Sequence, residues 1–122
     1  MILRLLAFFL IIAIPLRADW IEEEQKIQYL FDQILRIDGV FIRNGSEYPP
    51  RKAVEHLTMK MDRAMNSWFA PDKEKWTVEM FIDKLASESS LSGKPYLIRF
   101  KDGRIVKTRD WLYELLKQRK NP

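Results

Sequence analysis

With 122 residues and 47% hydrophobic side chains, the chain can fill one packed domain but not two, and its composition is not that of a disordered segment. It has no cysteine, which excludes disulfides, thiolate metal centres and the lipid-modified cysteine of a lipoprotein. The formal charge is +4, but without Arg4 and Arg17 the remainder has 19 basic residues against 17 acidic ones, a net +2, too slight a footprint for nucleic acid.

The chain opens with "MILRLLAFFLIIAIPLRADW". Arg4 gives a short positive start, Leu5 to Leu16 form an apolar run broken by Pro15, and the small residue Ala18 follows. This is the layout of a secretory signal peptide cleaved after Ala18. The apolar run is 12 residues, well short of the roughly 20 that a bilayer span requires. Residues 1–18 are therefore read as a signal peptide and 19–122 as one exported domain, periplasmic or secreted. It would meet the membrane only through its leader.

"DWIEEEQKIQYLFDQILRI" reads as a first helix, with Asp19 and Glu22 placed as a capping box. Trp20, Ile27, Phe31, Ile34 and Leu35 recur at helical spacing, and Leu30 and Ile37 widen the face. The three consecutive glutamates that follow Ile21 point about 100° apart on a helix and cannot converge on one metal ion. "FIRNGSEYPP" is read as a turn-rich joint, in which Asn44-Gly45 reverses the chain and Pro49-Pro50 lead into the next helix.

The second helix, Arg51 to Phe69, has a stripe of Ala53, Val54, Leu57, Met61, Ala64, Met65 and Trp68. His56 lies off that stripe, on a flank with Lys52, Lys60 and Arg63. A third helix starts after Thr77 as cap and turns Val78, Phe81, Ile82, Leu85 and Ala86 inward. "SSLSGKP" is a helix exit.

"YLIRFKDGRIVK" predicts a C-terminal β-hairpin, with strands near 96–101 and 104–107 about a two-residue Asp102-Gly103 turn. That register puts Tyr96, Ile98, Phe100 and Ile105 on one face. A last helix has Trp111, Leu112, Leu115 and Leu116 as its seam. The expected fold is a small, mostly helical α+β domain of about four helices with that hairpin.

His56 is the only histidine, so any acid–base chemistry near neutral pH falls to it. The named catalytic motifs are absent: there is no G-x-S-x-G, no P-loop, and Leu91 stands where a Ser-x-x-Lys pair ending at Lys94 needs its serine. No residue set suggests a metal or other cofactor.

The blocks "FIRNGSEY…A…HL…K" and "FIDKLASESSLSGKPYLIR" resemble the YfeK-like family of small exported bacterial proteins, a domain of unknown function. The resemblance implies an envelope or secreted location and one domain, and it brings no functional residues with it. Among the matching positions, Gly45, Gly93 and Pro95 have backbone explanations, and Leu57 and Ala86 are core. Arg43, Asn44, His56, Lys60, Ser87, Ser90 and Tyr96 are left as candidate ligand-binding residues, none of them assigned as catalytic.

Three readings follow. The first is a non-catalytic module that binds an acidic or amide-bearing envelope ligand or a protein partner. The second is a small hydrolase pairing His56 with Ser87, Ser90 or Ser92. The third is a buried polar network that fixes loops. The first requires Arg43 and His56 to meet across the turn and helix, and the second requires a serine hydroxyl within reach of His56.

Overall fold

A computed structural model describes residues 16–68 and 70–120, with side chains from Trp20 onward. Residues 1–15 of the expected signal peptide lie outside the described residues. The expected cleavage point falls inside the first helix, α1 (Leu16–Leu35). Asp19 is therefore an interior helical position and not a cap. No helix among the described residues is long and apolar enough to cross a membrane.

The chain continues through β1 (Gly39–Arg43), β2 (Ser46–Tyr48) and α2 (Pro50–Met65). After a 3₁₀ turn at Lys73–Lys75, α3 (Val78–Met80) runs directly into a π-helical segment, Phe81–Ala86. Strands β3 (Leu97–Phe100) and β4 (Ile105–Lys107) and helix α4 (Thr108–Lys120) complete it. Pro49 is extended at the N-cap of α2 (φ −67°, ψ 159°) and Pro50 occupies its first turn, where a missing N–H costs nothing. Thr77 caps α3 by accepting from the Met80 N–H at 3.1 Å. Glu23 supports the same helix start, because its Oε2 accepts from the Val78 N–H at 3.2 Å.

The architecture corrects the expected one. The α+β class and the four helices stand, but the strands form a four-stranded antiparallel sheet, β2-β1-β3-β4, and not a lone C-terminal hairpin. The centre of the sheet is β1 with β3, so the joint between the first two helices is itself strand and hairpin. Asn44 (φ 50°) and Gly45 (φ 78°) are both left-handed, as a two-residue hairpin turn of matching twist demands. Gly39 pairs with Phe100, and a Cβ there would lie 2.3 Å from the Arg99 carbonyl oxygen, so the seam between β1 and β3 closes only on glycine.

The second hairpin is corrected in register. Its strands are shorter than expected, and the connection is three residues, Lys101 to Gly103. The Gly103 N–H donates to the Phe100 carbonyl and the Phe100 N–H to the Arg104 carbonyl, both at 2.9 Å, with Gly103 at φ 92°. The extra residue shifts the pairing by one, so Ile98 faces Val106 and Arg99 faces Ile105. Val106 therefore packs on the core, while Ile105 is 55% exposed.

All four helices supply the core under one face of the sheet. Leu30, Ile34, Phe81, Ile82, Ile98 and Leu112 are fully buried, and Phe31 meets Phe81 edge to face at 5.3 Å. The third-helix expectation is met at every position. Two others are not. Leu35 is exposed at the end of α1 while Leu30 is buried, and Trp68 is exposed because α2 ends at Met65 and the chain turns away from its stripe.

Candidate functional site

Directly opposed residues of an antiparallel sheet point to the same face. Tyr48, Phe41, Ile98 and Val106 thus form one row across all four strands on the helix-covered side. The next row along that face begins with Ser46 and Arg43, which pair directly. Continuing the same register places Tyr96 beside Arg43 and Thr108 beside Tyr96. The Thr108 N–H does donate to the Tyr96 carbonyl at 2.9 Å. The sheet therefore changes from an apolar row to a polar one at the edge of its covered face, under α2.

At that edge Arg43 Nη1 lies 3.0 Å from both ring nitrogens of His56, and Nη2 donates to Tyr48 Oη at 3.4 Å. The guanidinium also lies over the Tyr48 ring, 5.2 Å from its centroid. His56 Nε2 is 3.2 Å from Tyr96 Oη, and Lys60 Nζ donates to the same hydroxyl at 3.0 Å. Lys60 also donates to the Glu88 carbonyl at 3.3 Å. No ion pair engages Arg43 or Lys60 among the described residues, whereas Arg51, Lys52, Arg99 and Arg109 each have a carboxylate.

Burial, followed by the Arg43, Lys60 and Arg63 charges, holds the His56 imidazole below its ordinary value of 6.5. The ring is neutral at neutral pH and can accept from a guanidinium that can only donate. One tautomer gives each ring nitrogen a partner, with Nδ1 accepting from Arg43 and Nε2–H donating to Tyr96. Tyr96 Oη then accepts from both His56 and Lys60, which leaves its own O–H to donate outward. Arg43 and Tyr96, and Lys60 bonded to Tyr96, then each end on a donor.

The cluster borders a cavity of about 340 Å³. Its walls include Phe41, Ala53, Leu57 and Met59, with Arg43, Tyr48, Lys52, His56 and Tyr96 among the polar lining. Thr108 also lines it, although its Oγ1 is buried without a hydrogen-bond partner.

Of the candidate residues, Arg43, His56, Lys60 and Tyr96 come together. Asn44 does not join them. Its Nδ2 donates to the buried Ser89 Oγ at 3.1 Å and its Oδ1 accepts from Ser92 Oγ, which fastens the turn to the 87–95 loop. Ser87 Oγ donates to the Ile82 carbonyl at 2.6 Å and serves the end of the π-helical segment. Ser90 is exposed and makes no side-chain hydrogen bond among the described residues. The serines of the hydrolase reading are thus tied elsewhere or lie apart, and the hydrogen-bond partners of His56 are Arg43 and Tyr96. Tyr48 was missed in the sequence. Its signal was the pairing with Phe41, visible only once the stretch is read as a hairpin.

These features define a class of protein: a small α+β domain whose sheet ends, under a helix, in an arginine–histidine–tyrosine cluster at a largely apolar cavity. A family model described as a family of unknown function (DUF5329) matches residues 21–120, and the chain belongs to that family. It is also similar to the uncharacterized protein YfeK of Salmonella typhimurium, with 37% identity over 75 residues. That alignment covers 61% of this chain and 57% of YfeK, so the chain spans little more than half of that relative's length. No solved structure matches the chain.

Proposed function

We propose that the protein is an exported binding module, without catalysis of its own, that captures an acidic group at Arg43, His56, Lys60 and Tyr96. One observation carries the reading: Arg43 lines a cavity beside the Tyr96 phenol, Lys60 reaches that same phenol, and neither cation has a carboxylate partner among the described residues. Such cations match an anion's oxygens and offer a neutral amide's N–H groups no acceptor. Export rests on the N-terminal layout, and residence in the envelope or outside the cell follows from it.

Titration calorimetry on the purified protein with matched carboxylates and carboxamides tests the site. Carboxylates should bind, and Arg43→Ala or Lys60→Ala should weaken them on the order of tenfold or more. Equal binding of acids and amides, or unchanged binding by a folded Arg43→Ala variant, would overturn the site. Alkaline phosphatase fused to the C-terminus tests export, because it is active only outside the cytoplasm.

A further inference from the structure

We infer that the acidic group is carried on an apolar body, so that the ligand is a small amphipathic acid of the kind represented by a medium-chain or arylalkyl carboxylate. The inference rests on the acid-binding reading above and adds what lies beside the charge. Arg43 and the phenols form one side of the site, the ion-paired Lys52 and Glu55 and the Thr108 hydroxyl also line it, and most of the remaining wall is carbon: the Phe41 ring, Ala53, Leu57 and the half-exposed Met59.

Three features restrict the body. A volume of about 340 Å³ is at the small end of the range for small-molecule sites, roughly 300–1,000 Å³, so one compact molecule fills it. A sugar or polyol body would bring several hydroxyls against Phe41, Ala53 and Leu57, none of which can receive them. A bare anion such as inorganic phosphate would satisfy the rim and leave the apolar walls in contact with water. An acid with an apolar body does neither. Its head takes the donors of Arg43 and Tyr96, with the Lys60 charge one hydrogen bond away, and its body displaces water from carbon.

The positions of the side chains support a directed fit. Arg43 and Phe41 alternate along β1 onto the same face, and His56, Lys60 and Ala53, Leu57 follow one another on α2. Apart from Tyr96, which precedes β3, head and body contacts therefore come from the same two elements, with polar positions toward the edge of the sheet and apolar positions toward its middle.

The test is a chain-length series of linear carboxylates from acetate to decanoate, each with its matched alcohol, titrated into the full-length protein. Affinity should rise about fourfold per methylene while the chain enters the cavity, and then level off when the cavity is full. Octanoate should exceed octanol on the order of tenfold, and Ala53→Leu should bring the plateau to a shorter chain. If acetate binds as tightly as octanoate, the apolar body is wrong although the acid site survives. If octanol matches octanoate and both rise with length, the acid site itself is wrong. The wild-type series needs no variant, so it decides the matter even if Ala53→Leu fails to fold.

Discussion

The two hairpins both turn on a left-handed glycine, yet they are attached to the rest of the molecule in different ways. The first, at Asn44-Gly45, is fastened from outside: the Asn44 side chain bonds both Ser89 and Ser92, and the strand before it delivers Arg43 beneath α2. The second turn is closed by its own groups and tied outside only through its backbone, where the Lys101 N–H donates to the Asp38 carbonyl at 2.9 Å. Asp102 Oδ1 accepts from the Arg104 N–H at 2.9 Å, and Gly103 bonds back to Phe100. A turn closed locally needs only its own backbone conformation. A turn tied to a distant loop also fixes whatever it carries, here the cation of the proposed site. The difference predicts that substitutions in the first turn propagate to the site and that those in the second stay local.

The largest effect should come from the seam that joins the two hairpins. In Gly39→Ala the new Cβ would meet the Arg99 oxygen at 2.3 Å and the Phe100 Cα at 2.9 Å, both backbone atoms that cannot rotate away. A loss on the order of 3 kcal/mol in urea unfolding is expected. Gly103→Ala meets nothing within 4 Å and suffers only its positive φ, for about 1 kcal/mol. Equal losses would mean that β1 and β3 can separate to admit a side chain, and that the centre of the sheet is softer than its pairing indicates.

The next contrast compares the turns directly. Asn44→Ala puts alanine at φ 50° and leaves the buried Ser89 hydroxyl without its donor, at a cost of about 2 kcal/mol. Asp102→Ala removes one exposed local bond and should cost about 0.5 kcal/mol. Only Asn44→Ala should also weaken carboxylate binding, through the displacement of Arg43. Binding unchanged in a folded Asn44→Ala variant would show that the anchored turn does not position the site.

The same contrast explains what the sequence disclosed. Helical stripes of five or more residues were readable, and the third helix was right at every inward position. The first hairpin was read as a joint between helices because β2 has only three residues, too few to establish a period of two. The second was recognised from Asp-Gly, but the loop length that sets its register depends on which backbone groups close it, and a one-residue difference exchanged Ile105 for Val106. The convergence of Arg43, His56 and Lys60 was anticipated from their positions on adjoining segments. Ser87 and Ser90 entered the candidate site as polar positions matching the family-like blocks, and neither position nor residue type reveals that the Ser87 hydroxyl is already bonded to the Ile82 carbonyl. Tyr48 went unnoticed for the reason its hairpin did.

The smallest effect separates the hairpins by pH. His56 lies against the first, facing Arg43 from β1, Lys60 and Arg63 from its own helix and Tyr96 from just before β3. Burial, then those three charges, lowers its folded value below 6.5. The unfolded chain therefore binds more protons in that window, and stability rises with pH across it. The neutral-imidazole contribution is complete above the unfolded value and is lost as pH falls through 6.5 toward the lowered folded value. Urea unfolding at about pH 7.5 and about pH 5 should show wild type losing more stability than His56→Gln, since the carboxylates common to both chains cancel in the difference. A parallel loss in the two proteins would mean that His56 takes up its proton in the folded state as readily as in the unfolded one. Arg43 would then have to release the ring nitrogen without cost, and the first hairpin would hold its cation no more firmly than the second holds Arg104.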